Sequence, residues 1–259
     1  MSVKRNTGST GVFAGFYDAL NDREYYSVYA DFILRTLKDR GVSPGSHVLD
    51  LACGTGEMSV ILKKSGYRVC ALDISSEMLT EASTKAYSEG IDDILFTCQD
   101  MRDFSLYSKT DAVVCIYDSL NHLMSRGDIV SAFSHINAAM SEKGCFIFDM
   151  STKHRYADVY ADNTFTVEDG DVFCVWENAF DEKRNVCDFL LTFFKERPDG
   201  LYERYEERQK QKYYPENFII KALTDAGFIN VVKISDTDVF GSYPDAEVGI
   251  RDVYVAEKA

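Results

Sequence analysis

The sequence predicts an α/β fold, a mostly parallel sheet buried on both faces and interrupted late in the chain by a small antiparallel β insertion. Three observations carry this expectation. Through residue 150, short apolar runs alternate with helical periods, the pattern of parallel strands joined by right-handed crossovers. The first of these runs empties into a Gly-x-Gly turn, and a helix pattern begins at once. Beyond residue 150 the texture changes to longer stretches rich in aromatic and β-branched residues, as in antiparallel strands.

In chain order, Asp22 to Arg40 reads as a helix with Tyr26, Tyr29, Ile33 and Leu37 on one side. The run His47–Leu51 is the first strand, and Arg68–Leu72, Ile94–Cys98, Ala112–Ile116 and Cys145–Phe148 share its form. Short continuous apolar runs bounded by polar residues fit strands covered on both faces. Between them, Ser76 to Tyr87 gathers Met78, Leu79, Ala82 and Ala86, with Ser75 or Ser76 as N-cap. Asp128 to Met140 aligns Ile129, Phe133, Ile136 and Met140. The later strands are Thr164–Val167, Val172–Phe180, Asn185–Lys195 and Leu201–Tyr213, and Pro198-Asp-Gly200 marks a hairpin turn between the last two. A helix from Pro215 to Ala226, closed by Gly227, and strands Ile229–Ile234 and Arg251–Ala256 complete the core.

Composition removes several classes of function. The 259 residues carry 28 Lys plus Arg against 42 Asp plus Glu, a formal charge of −14. That balance argues against nucleic acid as the main partner, because phosphate binding draws on clustered cations. It argues equally against anionic membrane surfaces, and no apolar run reaches the ~18 residues of a membrane span. Residues Met1 to Thr10 are polar and lead into no secretory h-region. Seven cysteines without CxxC spacing suit a reducing cytoplasm, with Cys70, Cys98, Cys115 and Cys145 inside apolar runs as small hydrophobes. The four histidines are dispersed, and no metal site is expected.

The most informative segment is Val48-Leu-Asp-Leu-Ala-Cys-Gly-Thr-Gly-Glu57. Glycines at 54 and 56 let the backbone turn tightly and let a ligand approach closely. A dinucleotide site prefers a third glycine, where this chain has Ser59, and Asp50 inside the motif is awkward beside a pyrophosphate. A carboxylate there suits a cationic ligand. S-adenosylmethionine (SAM) is such a ligand, with a sulfonium, an ammonium and no phosphate. Asp73 follows the second strand, where a carboxylate accepts from ribose hydroxyls. Asp100 follows the third and is placed to accept from an adenine amino group.

With these residues in hand, the sequence resembles the class I SAM-dependent methyltransferases. The resemblance is carried by Val48–Gly56, by Ala71-Leu-Asp-Ile-Ser-Ser-Glu-Met-Leu79, by Cys98-Gln-Asp-Met101 and by Asp111–Ser119. It implies a Rossmann-like seven-stranded sheet with helices on both faces. It also implies a SAM-binding core of residues 1–152 plus 213–259, with an N-terminal helical cap over 1–42 and an antiparallel β lid over 153–212. Phe13–Leu20 and Tyr25–Phe32 are similar to the cap of bacterial small-molecule methyltransferases, a branch that includes sugar-nucleotide and glycine N-methyltransferases. By resemblance, Gly54 and Gly56 pass under the methionine and ribose, and Asp50 and Ala52 belong to the same cofactor set. Asp73 holds the ribose, Ile74 and Met78 pack near the adenine, and Gln99, Asp100 and Met101 recognise it. Tyr17 and Tyr26 close over the methionyl end, and Tyr117, Asp118 and Ser119 line the methyl-transfer end.

Methyl transfer from a sulfonium is an in-line displacement, so positioning and electrostatic fit are the main demands on the protein. His122, beside the expected transfer end, is the candidate base or orienting residue. Its bland reading is a structural hydrogen-bonder. The loop Asp118-Ser-Leu-Asn121 lacks the Asn/Asp-Pro-Pro-aromatic motif of base-amine methylation. The expected activity is methylation of an N or O atom of a small molecule, with S-adenosylhomocysteine (SAH) as product. An RNA-modifying enzyme and a non-catalytic SAM-binding module are the alternatives. Gln209 stands where some relatives have a histidine, which leaves the acceptor open, and monomer and homodimer are equally compatible with the sequence.

Overall fold

The computed structural model describes residues 11–20, 23–240 and 249–259. Of the expected cap, residues 1–10 and 21–22 lie outside the described residues. Its described part holds helices α1 (Gly11–Tyr17) and α2 (Arg23–Asp39). The core continues through β1 (His47–Leu51), α3 (Glu57–Lys64), β2 (Arg68–Asp73), α4 (Ser76–Ser88), β3 (Leu95–Cys98), β4 (Thr110–Cys115), α5 (Arg126–Ala139) and β5 (Met140–Ser151). A short π-helical turn, Arg155–Tyr160, leads into β6 (Thr164–Asp169), β7 (Val172–Asp181), β8 (Val186–Glu196) and β9 (Tyr202–Lys212). Helix α6 (Glu216–Asp225), β10 (Phe228–Ser235), α7 (Asp236–Phe240) and β11 (Arg251–Lys258) return the chain to the core.

Seven strands form one sheet in the order β10-β11-β5-β4-β1-β2-β3. β1 pairs in parallel with both β2 and β4, so the strand order reverses between β1 and β4. β11 is antiparallel to β5 and to β10. Successive side chains alternate across the sheet and build two cores. Leu49, Leu51, Val113, Phe146 and Phe148 face Ile129, Phe133 and Ile136 of α5 and Ile219 and Leu223 of α6. Val48, Val69, Val114, Ile147 and Val255 face Tyr29, Ile33 and Leu37 of α2 and Met58 and Leu62 of α3. The helical stripes expected for α2 and α5 are therefore the stripes that are buried. Burying a side chain of this size contributes about 2 kcal/mol. β3 differs from its expectation. It is the sheet's edge strand, so Leu95 and Cys98 of its apolar run are exposed.

The second sheet is antiparallel, in the order β6-β7-β8-β9. The turn at residues 198–200 joins β8 to β9, with Gly200 at φ 76°, a left-handed value that glycine adopts without strain. One face of this sheet is buried. Cys174, Leu191 and Phe193 pack on Phe13 and Phe16 of α1, with the rings of Phe16 and Phe193 stacked at 4.8 Å. Cys187 and Phe189 pack on Tyr156 and Tyr160. The insertion thus rests on the N-terminal helix and on the turn after β5, which places it above the carboxyl ends of the parallel strands.

Candidate active site

The site begins where β1 ends. Ala52, Gly54 and Gly56 all have positive φ, at 58°, 53° and 77°. The turn is closed by Cys53 N–H donating to the Leu72 carbonyl at 3.0 Å and by Gly56 N–H donating to the Cys53 carbonyl at 2.9 Å. Asp73, at the end of β2, fastens it: Oδ2 accepts from Gly54 N–H and Oδ1 from Ser75 N–H, each at 2.9 Å. The cap of α4 falls to Ser75, whose Oγ accepts from Met78 N–H. Asp73 is thereby free of the capping role.

Ser59, where a dinucleotide motif would have its third glycine, is completely buried and donates its hydroxyl to Asp50 at 2.5 Å. Asp50 is itself 2% exposed and meets no cation among the described residues. Burial pushes its carboxyl up to about 7, against the lowering effect of the Ser59 hydrogen bond. The packing duty of the missing third glycine is met by Gly56. A Cβ there would lie 2.7 Å from the Ala82 Cβ of α4. Gly56 serves the approach of α3 to α4 and borders none of the three cavities that open at the strand ends, whereas Gly54 borders two.

Three adjoining cavities open at the strand ends. One, of about 500 Å3, is bordered by Asp73, Ile74, Met78, Asp100 and Met101. A second, of about 310 Å3, reaches from Gly54 toward Tyr26, Asp50, Ala52 and Lys85. The third, of about 470 Å3, lies under the second sheet, between Trp176, Phe189 and Gln211 on one side and Arg155 and Arg251 on the other. Tyr17 and Tyr117 border all three, Ser119 borders the first two, and His122 borders the first and third. Tyr17 comes from α1, and its ring lies 3.8 Å from where a Cβ on Gly54 would stand. Tyr26, from α2, stacks on Tyr117 at 5.0 Å. Burial raises the phenols of Tyr17 and Tyr26 above the ordinary value, so both stay protonated.

Two further expected residues make contacts of their own within the protein. Gln99 borders the first cavity, but its side chain is spent on the loop that follows β3. Its Oε1 accepts from Ser105 N–H at 3.0 Å, and its Nε2 donates to the Ser105 carbonyl and to Thr97 Oγ1. Asp118 borders the third cavity and neither of the other two. It turns into a buried ion cluster with Arg155, Arg251 and Asp149. Burial pushes the Asp118 carboxyl up, but Arg155 and Arg251 outweigh it and hold the group below the usual carboxylate range. The backbone that makes this turn is strained, since Tyr117 and Asp118 both sit at φ 59°. It is held there by Asp149, which accepts from the N–H groups of both residues at 2.9 and 2.7 Å. Asp100 borders the first cavity, and its carboxylate faces Arg102 across a charge-assisted pair.

His122 sits on the 3-10 turn Ser119–His122 after β4. Its Nε2 is 3.2 Å from Gln211 Nε2 of β9, and Gln211 Oε1 accepts from the Tyr156 hydroxyl at 2.8 Å. With Gln211 oriented by Tyr156, its amide donates to the imidazole. Burial lowers the His122 pKa below the ordinary value, against the raising influence of Asp118 and Asp73. The ring is therefore neutral at physiological pH.

The sequence reading missed Asp149, Arg155 and Arg251. Two of them left a trace. Asp149 and Arg251 are charges inside apolar strands that this fold buries on both faces, and such charges must find partners. Arg155 left none, because the π-helical turn that carries it has no period to read.

A parallel sheet reversing at β1 and β4, a glycine turn at the switch point and carboxylates at successive strand ends define a Rossmann-like, nucleoside-binding enzyme core. Residues 48–144 match the methyltransferase domain family. The chain is 32% identical over 246 residues to a protein of Geobacillus sp. (strain WCH70) named "Putative methyltransferase", covering 95% of this chain and 98% of that one. It is 29% identical to the glycine/sarcosine N-methyltransferase of Aphanothece halophytica, over 80% of this chain and 74% of that protein. Among solved structures, an S-adenosylmethionine-dependent methyltransferase from Clostridium acetobutylicum ATCC 824 superposes with a TM-score of 0.78 at 27% identity, covering 96% of each chain. The chain belongs to the SAM-dependent methyltransferases of the class I fold. Its residues fit that cofactor: Asp50 is a buried carboxylate with no cation beside it among the described residues, and Gly54 leaves a bare backbone at the cavity wall.

Proposed function

We propose that this methyltransferase transfers its methyl group to an amine nitrogen of a small molecule held in the cavity under the second sheet. One observation carries the reading. The two cavities on the cofactor side and the cavity under the antiparallel sheet meet at Tyr17 and Tyr117, as donor and acceptor must meet for in-line displacement. Bound SAM supplies an activated methyl on a sulfonium. Asp73 would hold its ribose, Ile74, Met78, Asp100 and Met101 its adenine, and Asp50, Tyr26 and Ala52 its methionyl end. Residues 153–212 act as a lid on a core of 1–152 plus 213–259, excluding water from the acceptor. Neutral His122, its Nε2 accepting from Gln211, orients the transfer end of the cavity and leaves the acceptor amine to arrive unprotonated. Nitrogen is favoured over oxygen by the likeness to a glycine/sarcosine N-methyltransferase.

An RNA substrate finds no support on the second sheet, where Arg204 pairs with Glu206, Lys210 with Asp188 and Arg197 with Asp199. The seven free cysteines support a cytoplasmic enzyme. The test is isotope-labelled SAM added with the protein to a cell extract, followed by fractionation and mass identification. Label should enter a small amine. Label confined to RNA or protein would overturn the reading.

The Asp50 assignment makes a pH prediction. The folded-state pKa of about 7 lies above the ordinary 3.8, so the protonated form stabilises the ligand-free protein. That contribution is complete below 3.8 and is lost as pH rises through about 7. Binding of an ammonium runs the other way, since it needs the carboxylate. SAM affinity is expected to fall roughly fivefold from pH 7 to pH 6 as the ionised fraction drops. Calorimetry should show proton release on binding in the wild type and none in Asp50→Asn. A wild-type affinity flat across this window would reject the ammonium pairing.

A further inference from the structure

The acceptor cavity has two guanidinium groups in its wall, Arg155 and Arg251. Alone they would form a seat for a carboxylate or phosphate on the acceptor. The chain fills that seat itself. Arg155 Nη1 donates to Asp118 Oδ2 at 2.6 Å and to Ser151 Oγ at 3.0 Å, and Ser151 Oγ donates to Asp118 Oδ1 at 2.8 Å. Arg251 Nη1 donates to Asp149 Oδ2 at 2.8 Å, and its Nη2 donates to Asp118 Oδ2 at 3.3 Å. Asp149 is fixed in turn by the Tyr29 hydroxyl at 2.6 Å. Among the described residues the cluster pairs two cations with two anions. Side-chain exposure runs from 0% for Asp149 and 2% for Arg251 to 7% for Asp118 and 13% for Arg155, so solvent does not compete for these pairs.

We propose that Asp118 determines specificity: its carboxylate takes the place on Arg155 that an anionic acceptor would need, so the enzyme methylates a ring-borne amine that brings no anionic group into the cavity. The inference rests on the reading of this cavity as the acceptor site. A third carboxylate brought against the cluster would face Asp118 in a medium where like charges repel strongly. The rest of the wall is suited to a ring. Tyr160, Phe165, Trp176 and Phe189 present aromatic faces, and Gln209 and Gln211 present neutral amides. The volume of about 470 Å3 lies in the range of sites for molecules well above the size of a free amino acid. The Trp176 indole N–H is buried without a hydrogen-bond partner among the described residues, a leftover donor that suits a ring oxygen or nitrogen. Glycine and sarcosine, each carrying a carboxylate on a very small frame, match neither feature.

Trp176 is the chain's single tryptophan and stands in this wall, so its fluorescence reports occupancy. The protein is first loaded with SAH, with loading followed by calorimetry. Acetate and sarcosine are then titrated as anionic probes, and glucosamine and benzylamine as ring-borne amines. In the wild type the ring amines should perturb Trp176 at lower concentrations than either anion. Asp118→Asn exposes the guanidinium of Arg155 and should tighten acetate binding by about tenfold or more. Asp118→Glu, which keeps the charge, should not. Acetate or sarcosine binding the wild type as well as the ring amines, or labelled methyl appearing on glycine or sarcosine, would overturn the proposal. If Asp118→Asn does not fold, the wild-type comparison decides by itself. Failure of SAH to bind would instead strike the donor-site assignments, which separates the two outcomes.

Discussion

Asp73→Ala is expected to weaken SAM binding about 100-fold, because two hydrogen bonds from ribose hydroxyls to a buried carboxylate are lost together. The structure adds a reason beyond those contacts. Asp73 accepts from the N–H groups of Gly54 and Ser75, so the same substitution loosens the turn over which the cofactor lies. Asp73→Asn separates the two roles. An amide keeps one acceptor oxygen but turns an NH2 toward one of those N–H donors, and a loss of about tenfold is expected. Calorimetric titration with SAM and SAH measures both variants. Affinity unchanged in Asp73→Ala would break the ribose assignment, whatever happens to thermal stability.

Gly56→Ala is expected to destabilise the core strongly while leaving cofactor contacts untouched. The residue sits at φ 77°, and an added Cβ would lie 2.7 Å from the Ala82 Cβ and 3.2 Å from its Cα. Left-handed strain costs about 1–2 kcal/mol, and overpacking against a helix backbone adds about 1–3 kcal/mol. Together they should lower Tm by about 10 °C in a chain of this size. Gly90→Ala is the control. Gly90 has nearly the same φ, 73°, but nothing within 4 Å of its would-be Cβ, so only the strain should appear. Adding Ala82→Gly to Gly56→Ala should restore part of the loss. A Gly56→Ala protein as stable as wild type but unable to bind SAM would return Gly56 to the cavity floor.

The fold was readable because burial and periodicity are local signals. The run His47–Leu51 is a strand with those bounds, and the stripe Tyr29, Ile33, Leu37 is the buried stripe of α2. The edge position of β3 was not readable, because exposure of Cys98 depends on which strand ends the sheet. In the site, Asp73 and Gly54 were legible from spacing alone, since a strand, a turn and a second strand end meet within one βαβ unit. Gly56 was legible as a glycine but not by its purpose, which lies in a contact with Ala82 of another helix.

Asp118 marks the boundary between the two kinds of knowledge. The sequence by itself determined that this is an α/β enzyme with a glycine turn, acids at strand ends and an aromatic insertion, because each of those is written within a few neighbouring residues. Only the tertiary structure decided what Asp118 does. Its partners come from positions 151, 155 and 251, and from the backbone amide's acceptor at 149. Charges gathered from separate strands into one dry cluster are set by which strands lie side by side, which a linear reading does not contain. The glycine turn and its strand-end acids are thus a property of local sequence, and the ion cluster under the second sheet a property of how distant segments meet.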